Sequence, residues 1–136
     1  MTNNATFIDK LAFLHFVDGQ LLMTLSRGKG TYYIPGGKRE SGESDVEALS
    51  REVREELAVD LDPQSIKHYG TFTAQAHGKP VGVLVRMTCY TASFSGELKP
   101  SSEIQDIAYY TYAQRDIVGP VDQLIFDDLH TENLLK

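Results

Sequence analysis

The 136-residue chain has one cysteine, Cys89. An intrachain disulfide framework is therefore excluded, and a reducing compartment fits best. In its alternating apolar stretch, Cys89 reads as a small buried strand residue. Long apolar runs are also missing, and residues 1–4 carry no basic segment. Neither a secretory leader nor a membrane span is expected, which points to the cytoplasm. Positive charge is the scarcer sign: 13 Lys and Arg stand against 19 Asp and Glu, for a formal charge of −6. Duplex nucleic acid calls for a basic footprint, so such a partner is not expected. His15, His68 and His77 share no metal-ligand spacing and have no cysteine nearby. The chain also lacks internal repeats, low-complexity tracts and any linker long enough to divide it. One domain over 1–136 is the expectation.

What the chain does have is concentrated between Gly37 and Val59. Ser44 and Asp45 are N-cap candidates, and Glu47, three residues after Ser44, makes a capping box. No Gly or Pro interrupts the run to Leu57, and Val46, Leu49, Val53 and Leu57 form an apolar helical stripe. Glu52, Glu55 and Glu56 follow the same steps on a neighbouring face. They crowd the last turn of the helix, where the macrodipole disfavours negative charge. Charge alone leaves two readings open. One is a solvated acidic face relieved by Arg51 and Arg54; the other is a site for a hard divalent cation such as Mg²⁺.

Before this stretch, Phe7 to Val17 reads as a strand, Asp18-Gly19 as a hairpin turn and Gln20 to Ser26 as the returning strand. Arg27-Gly28-Lys29-Gly30 is a basic loop, which is either a plain turn or places Arg27 against phosphates. Thr31 to Ile34 reads as a short strand, which Pro35-Gly36-Gly37 breaks. After it, Ser65 to Ala76 and Val81 to Phe94 are expected strands around a turn at His77-Gly78-Lys79-Pro80. Ile107 to Tyr112 is a further strand, and Ala113 to Val118 a short helix. Val121 to Leu135 is a final helix with Leu124, Ile125, Leu129 and Leu134 inward. Phe126, Tyr109, Tyr110 and Tyr112 are expected in packing rather than in base stacking.

The spacing decides between the two readings of the acidic helix end. Gly37, five residues, Glu43, seven residues, Arg51-Glu52-Val53-Arg54-Glu55-Glu56 and then Val59 closely resembles the Nudix box, with Ala58 where that family has Gly. Ile34-Pro35-Gly36 also resembles the family's lead-in. Ala58 puts the helix exit in doubt. It either takes the left-handed cap at a cost or lets the helix run on toward Asp60 or Asp62-Pro63.

The resemblance implies an α/β/α sandwich around a mixed β-sheet, with a catalytic loop-helix-loop and a C-terminal helix. It also implies hydrolysis of the diphosphate in a nucleoside diphosphate linked to another group. Mg²⁺, or Mn²⁺ in its place, is the implied cofactor, held by Glu52, Glu55 and Glu56 with Gly37 and Glu103 contributing. Glu55 or Glu103 would accept the proton of the attacking water, and Arg51 would orient a ligand carboxylate through ion pairs to Glu47 or Glu55. By the same resemblance Lys38, the residue after the box Gly, would meet a phosphate; on the residues alone Gly36 lets a ligand approach closely, Arg27 keeps its two readings of plain turn or phosphate contact, and Glu43 is expected in the outer shell. A nucleoside triphosphate, oxidised or otherwise modified, is the favoured small-molecule substrate. Nucleotide sugars, dinucleoside polyphosphates and a non-hydrolysing nucleotide-binding module are the alternatives, and a homodimer is admissible.

Overall fold

Residues 6–136 are described by the computed structural model; the 1–4 segment lies outside the described residues. Period-two alternation builds the central sheet. Strand β1 (Thr6–Phe13) sends Leu11 and Phe13 to one face and Ala12 to the other, each into a separate core cluster. The short strand β2 (Phe16–Val17) and β3 (Gln20–Ser26) form a hairpin across Asp18 and Gly19, both at positive φ, the backbone that a two-residue turn of this kind requires. One long strand from Phe7 to Val17 was the expectation. The chain instead leaves the first sheet after Phe13 and restarts in a second one.

Strand β4 (Gly36–Lys38) corrects the expectation that Pro35-Gly36-Gly37 ends strand structure. These residues pair antiparallel with β1, while the expected strand at Thr31 to Ile34 is only an isolated bridge between Thr24 and Tyr33. The reason is steric. A Cβ on Gly36 would lie 1.9 Å from the Leu11 carbonyl oxygen, so only glycine lets the two backbones close at that point. Helix α1 (Asp45–Leu57) follows and opens with the expected capping box: Ser44 Oγ accepts from the Glu47 N–H, and the Glu47 carboxylate from the Ser44 N–H. Leu49, Val53 and Leu57 are buried with Ala48, whereas Val46 is exposed at the margin of the arc. The buried arc is rotated toward Glu56, which joins the core-facing residues.

A short pair, β5 (Asp60–Leu61) with β8 (Phe94–Ser95), covers the exit of the helix. Between them, β6 (Lys67–Gln75) and β7 (Val83–Thr91) form an antiparallel hairpin, and β9 (Ile104–Tyr110) pairs with β3. The larger sheet runs β4-β1-β7-β6, with β1 and β7 parallel, and the smaller one β2-β3-β9. The expected helix at Ala113 to Val118 is a 3₁₀ turn over Tyr112–Ile117. Helix α2 (Pro120–Thr131) then buries Val121, Ile125, Phe126 and Leu129. Leu124 and Leu134, expected inward, are exposed; Asp122 and Leu135 take the buried positions. Helix α1 packs on Leu11, Phe13 and Leu22, and α2 on Ala12, Leu21, Met23 and Cys89. Two helical layers thus enclose the sheets, as an α/β/α sandwich.

Ala58 resolves its two readings at the helix exit. The helix stops at Leu57, and Ala58 itself adopts φ 60, ψ 30 with its N–H bonded to the Arg54 carbonyl. A side chain there carries the left-handed penalty that glycine avoids. Ala58→Gly is therefore expected to stabilise the fold by about 1 kcal/mol, which thermal melting reads as a rise of a few degrees. An unchanged or lower melting temperature would show that this cap is unstrained.

Candidate active site

The elements above converge at one end of α1. Glycine at 37 leaves room there: a Cβ would lie 2.5 Å from the Glu52 carboxyl carbon, so with any other residue the Glu52 carboxylate would have to shift. The Gly36 N–H is directed to Glu56 Oε1 at 2.9 Å. Glu56 is 7% exposed, Glu52 14% and Glu55 48%, so the cluster grades from interior to solvent. Burial pushes the Glu56 carboxyl up to about 8, with Glu52 and Glu103 adding like-charge repulsion. Burial also raises Glu52, against the opposing pull of Arg51.

Arg51 ties the cluster together. Its Nε and Nη2 donate to the two Glu43 oxygens at 2.7 and 2.8 Å, and Nη1 donates to Glu52 Oε1 at 2.9 Å. Longer 3.5 Å contacts reach Glu55, and Nη2 also donates to the Lys38 carbonyl at 3.0 Å. Glu43 stands behind this guanidinium, which holds its carboxyl down at about 2. The expected ion pair between Arg51 and Glu47 does not form, because Glu47 is spent on the N-cap. Arg39 pairs with Asp45 at the same helix start.

Glu103 arrives from the other sheet. The loop before β9 is fastened to the end of α1 by the Ser101 N–H on the Glu56 carbonyl and the Lys99 N–H on the Leu57 carbonyl, both at 3.0 Å. These bonds satisfy carbonyls that a helix end leaves unpaired. Arg27 secures the loop from β3: its N–H donates to the Glu103 carbonyl at 2.8 Å, and its guanidinium to the Ser102 carbonyl at 3.1 Å. The register of β3 against β9 shifts beside it, with Leu25 opposite Asp106 and Ser26 opposite Ile104, which leaves Gln105 as an extra residue on β9. The Glu103 carboxylate accepts from Ser102 Oγ and lies close enough to raise Glu52 and Glu56.

Two residues that sequence reasoning passed over complete the site. Asp122, at the start of α2, is 1% exposed; its Oδ2 accepts from the Ile34 N–H at 3.2 Å, and its Oδ1 has no partner among the described residues. Burial raises this carboxyl to about 7. The signal was there: Asp122 lies three, four and seven residues before Ile125, Phe126 and Leu129, in phase with the buried stripe. Lys10 is the other, in phase on β1 with Ile8 and Ala12. Both line a cavity of about 340 Å³ together with Tyr33, His77, Lys38 and Met87. A smaller one of about 110 Å³ adjoins Gly36, Gly37 and Glu56.

Among the described residues, no three acidic, His or Cys side chains already form a metal cage. Arg51 occupies Glu52 and Glu55, and the Gly36 N–H occupies Glu56. The donor set nevertheless fits a hard divalent cation. It is all oxygen, it carries more negative charge than one arginine balances, and its most buried member is held toward the protonated form.

The sequence model of the NUDIX domain matches residues 11–126. The 8-oxo-dGDP phosphatase NUDT18 of Homo sapiens is 34% identical over 68 residues, covering 48% of this chain and 21% of that protein. The uncharacterised Nudix hydrolase YvcI of Bacillus subtilis is 30% identical over 86 residues, covering 63% of this chain and 54% of its own length. The chain thus spans about a fifth of the human relative and about half of the bacterial one. Among solved structures, the E. coli ORF135 protein superposes with a TM-score of 0.72 at 22% identity, over 93% of this chain and 90% of that one. A MutT protein from Methanosarcina mazei gives 0.73 at 17% identity, over 97% and 99%. No described helix is long and apolar enough to cross a membrane. Carrying the box on a capped helix and matching the domain over residues 11–126, this chain belongs to the Nudix family.

Proposed function

We propose that the chain is one catalytic domain that hydrolyses the diphosphate linkage of a nucleoside diphosphate joined to another group. The observation that carries this is the gathering of Glu52, Glu55, Glu56 and Glu103 around the end of α1, with Glu56 on a small cavity that shares walls with one of about 340 Å³. Glu52, Glu55 and Glu56, with Gly37 and Glu103 alongside, would hold the divalent cation, Mg²⁺ or Mn²⁺. When bound, that cation supplies charge neutralisation of the diphosphate and activation of water.

The chain's own groups divide the remaining work. Arg51 holds Glu52 and Glu55 at fixed places and is itself held by Glu43. Glu55 is half-exposed and held only by long contacts, and Glu103 is exposed. One of the two accepts the proton of the attacking water. Turnover separates them: the variant that removes the acceptor, Glu55→Gln or Glu103→Gln, should fall by about a hundredfold or more, and the other by less. Lys38 meets a phosphate at the cavity wall, while Arg27 acts through the Glu103 loop. The nucleoside end lies in the 340 Å³ cavity, where the unpaired Asp122 Oδ1 accepts an N–H of the base.

An oxidised purine nucleoside di- or triphosphate is the favoured substrate. The human relative is named an 8-oxo-dGDP phosphatase, and the buried acceptor suits a base edge that donates. A panel assayed with Mg²⁺ and Mn²⁺ tests this: 8-oxo-dGDP, 8-oxo-dGTP, their unmodified forms, nucleotide sugars and dinucleoside polyphosphates. Release of phosphate or pyrophosphate from none of them would reject the reading.

A further inference from the structure

Two lysines face each other across the closure of β1 on β4. Lys10 is the direct partner of Lys38 in the antiparallel ladder. Directly opposed residues project from the same face, and like charges so placed destabilise a sheet. Lys10 is also drawn away from water, on the face whose other members join the α2 core. Asp122, Glu56 and Glu52 act on its ammonium only through space; no hydrogen bond to it forms among the described residues. A partly desolvated cation beside a second cation is costly until an anion with several oxygens lies between them.

The cavities say where that anion would be. Lys10 and Lys38 both line the larger one, as does Asp122. Lys10, Ser26, Tyr33 and Met87 are walls of both cavities, and the smaller one reaches Gly37 and Glu56. Lys10 therefore stands at the passage from the nucleoside chamber to the carboxylates. We propose that Lys10, with Lys38 opposite it, clamps the phosphate adjoining the nucleoside and so fixes how far the phosphate chain extends toward Glu52, Glu55, Glu56 and Glu103. This rests on the nucleotide reading above. Lys10 then binds and registers the substrate, and it takes no proton.

The test uses the methylene-bridged analogue of dGTP, which resists hydrolysis, with deoxyguanosine as the phosphate-free control. Each is titrated by NMR into the full chain in Mg²⁺. Lys10→Met is expected to weaken the analogue roughly ten- to a hundredfold, the worth of a charge-assisted contact, while deoxyguanosine stays within about twofold. Lys10→Arg should keep most of the affinity. Lys38→Met, on an exposed position, should show a selective loss of its own and carries the test if Lys10→Met fails to fold. Unchanged analogue affinity in Lys38→Met and in a folded Lys10→Met overturns the clamp, and so does equal weakening of both ligands. No binding of the analogue by the wild type also overturns it. Hydrolysis of the panel by the wild type is scored separately, so the clamp can fail while the hydrolase reading stands.

Discussion

Glu56→Gln is expected to lower turnover at least about a hundredfold, the upper end of what losing a mere outer-shell partner costs, and to raise the melting temperature of the metal-free protein. The two effects share one cause. Glu56 sits 7% exposed at the base of an acid cluster, and its carboxyl is raised from the ordinary 4.5 to about 8. Below 4.5 it is neutral in both the folded and unfolded chain, and its burial carries no electrostatic penalty. Between 4.5 and 8 the unfolded chain releases the proton and the folded one retains it, so stability falls as pH rises. By pH 7 that loss is on the order of 3 kcal/mol. A Gln amide oxygen can still accept the Gly36 N–H and has no proton to lose. The gap between variant and wild type should open as pH rises from 4.5 to 8, on a sloping background from Asp122, whose raised carboxyl acts with the same sign. Added Mg²⁺ should raise the melting temperature of the wild type more than that of the variant, because a cation binding only the folded state stabilises it. Near wild-type turnover, or parallel pH–stability curves, would remove Glu56 from the role given to it.

Arg51→Met should cost roughly 2–3 kcal/mol of stability, below the usual figure for breaking a buried ion pair because its side chain is 23% exposed. The guanidinium is the common partner of Glu43, Glu52 and Glu55 and is within 3.7 Å of Glu40 as well. Without it these carboxylates face each other with no fixed cation. Lysine should not restore the loss, since one ammonium cannot span both Glu43 oxygens, Glu52 and the Lys38 carbonyl. Turnover should fall about ten- to a hundredfold along with stability, as it does when groups that orient a ligand are removed. Urea denaturation and steady-state rates check both halves. A variant that unfolds with the wild type would mean that these bonds are surface decoration.

The acidic helix and its cap were legible because each rests on local spacing. Ser44 and Glu47 are three apart, and Glu52, Glu55 and Glu56 recur at helical steps. Strand β4 was not legible. Glycine and proline argue against a strand, and the contact that makes Gly36 necessary is to Leu11, which is remote in sequence. Lys10 and Asp122 carried a readable signal, as charged residues in phase with apolar stripes. Their meaning depended on β1 and α2 reaching one cavity, which is a tertiary fact. For Arg27 the sequence left a plain turn and a phosphate contact open, and its bonds go to the Glu103 loop. A long cation ending a strand does not announce which neighbour it will take.

Cys89 lies in β7, a strand flanked by β1 and β6, and is fully buried with its thiol shifted upward by that burial. It is the chain's lone sulfhydryl. Alkylating reagents can therefore reach it only when the middle of the sheet comes apart. Iodoacetamide labelling followed by mass spectrometry would clock that opening directly, with no engineered probe.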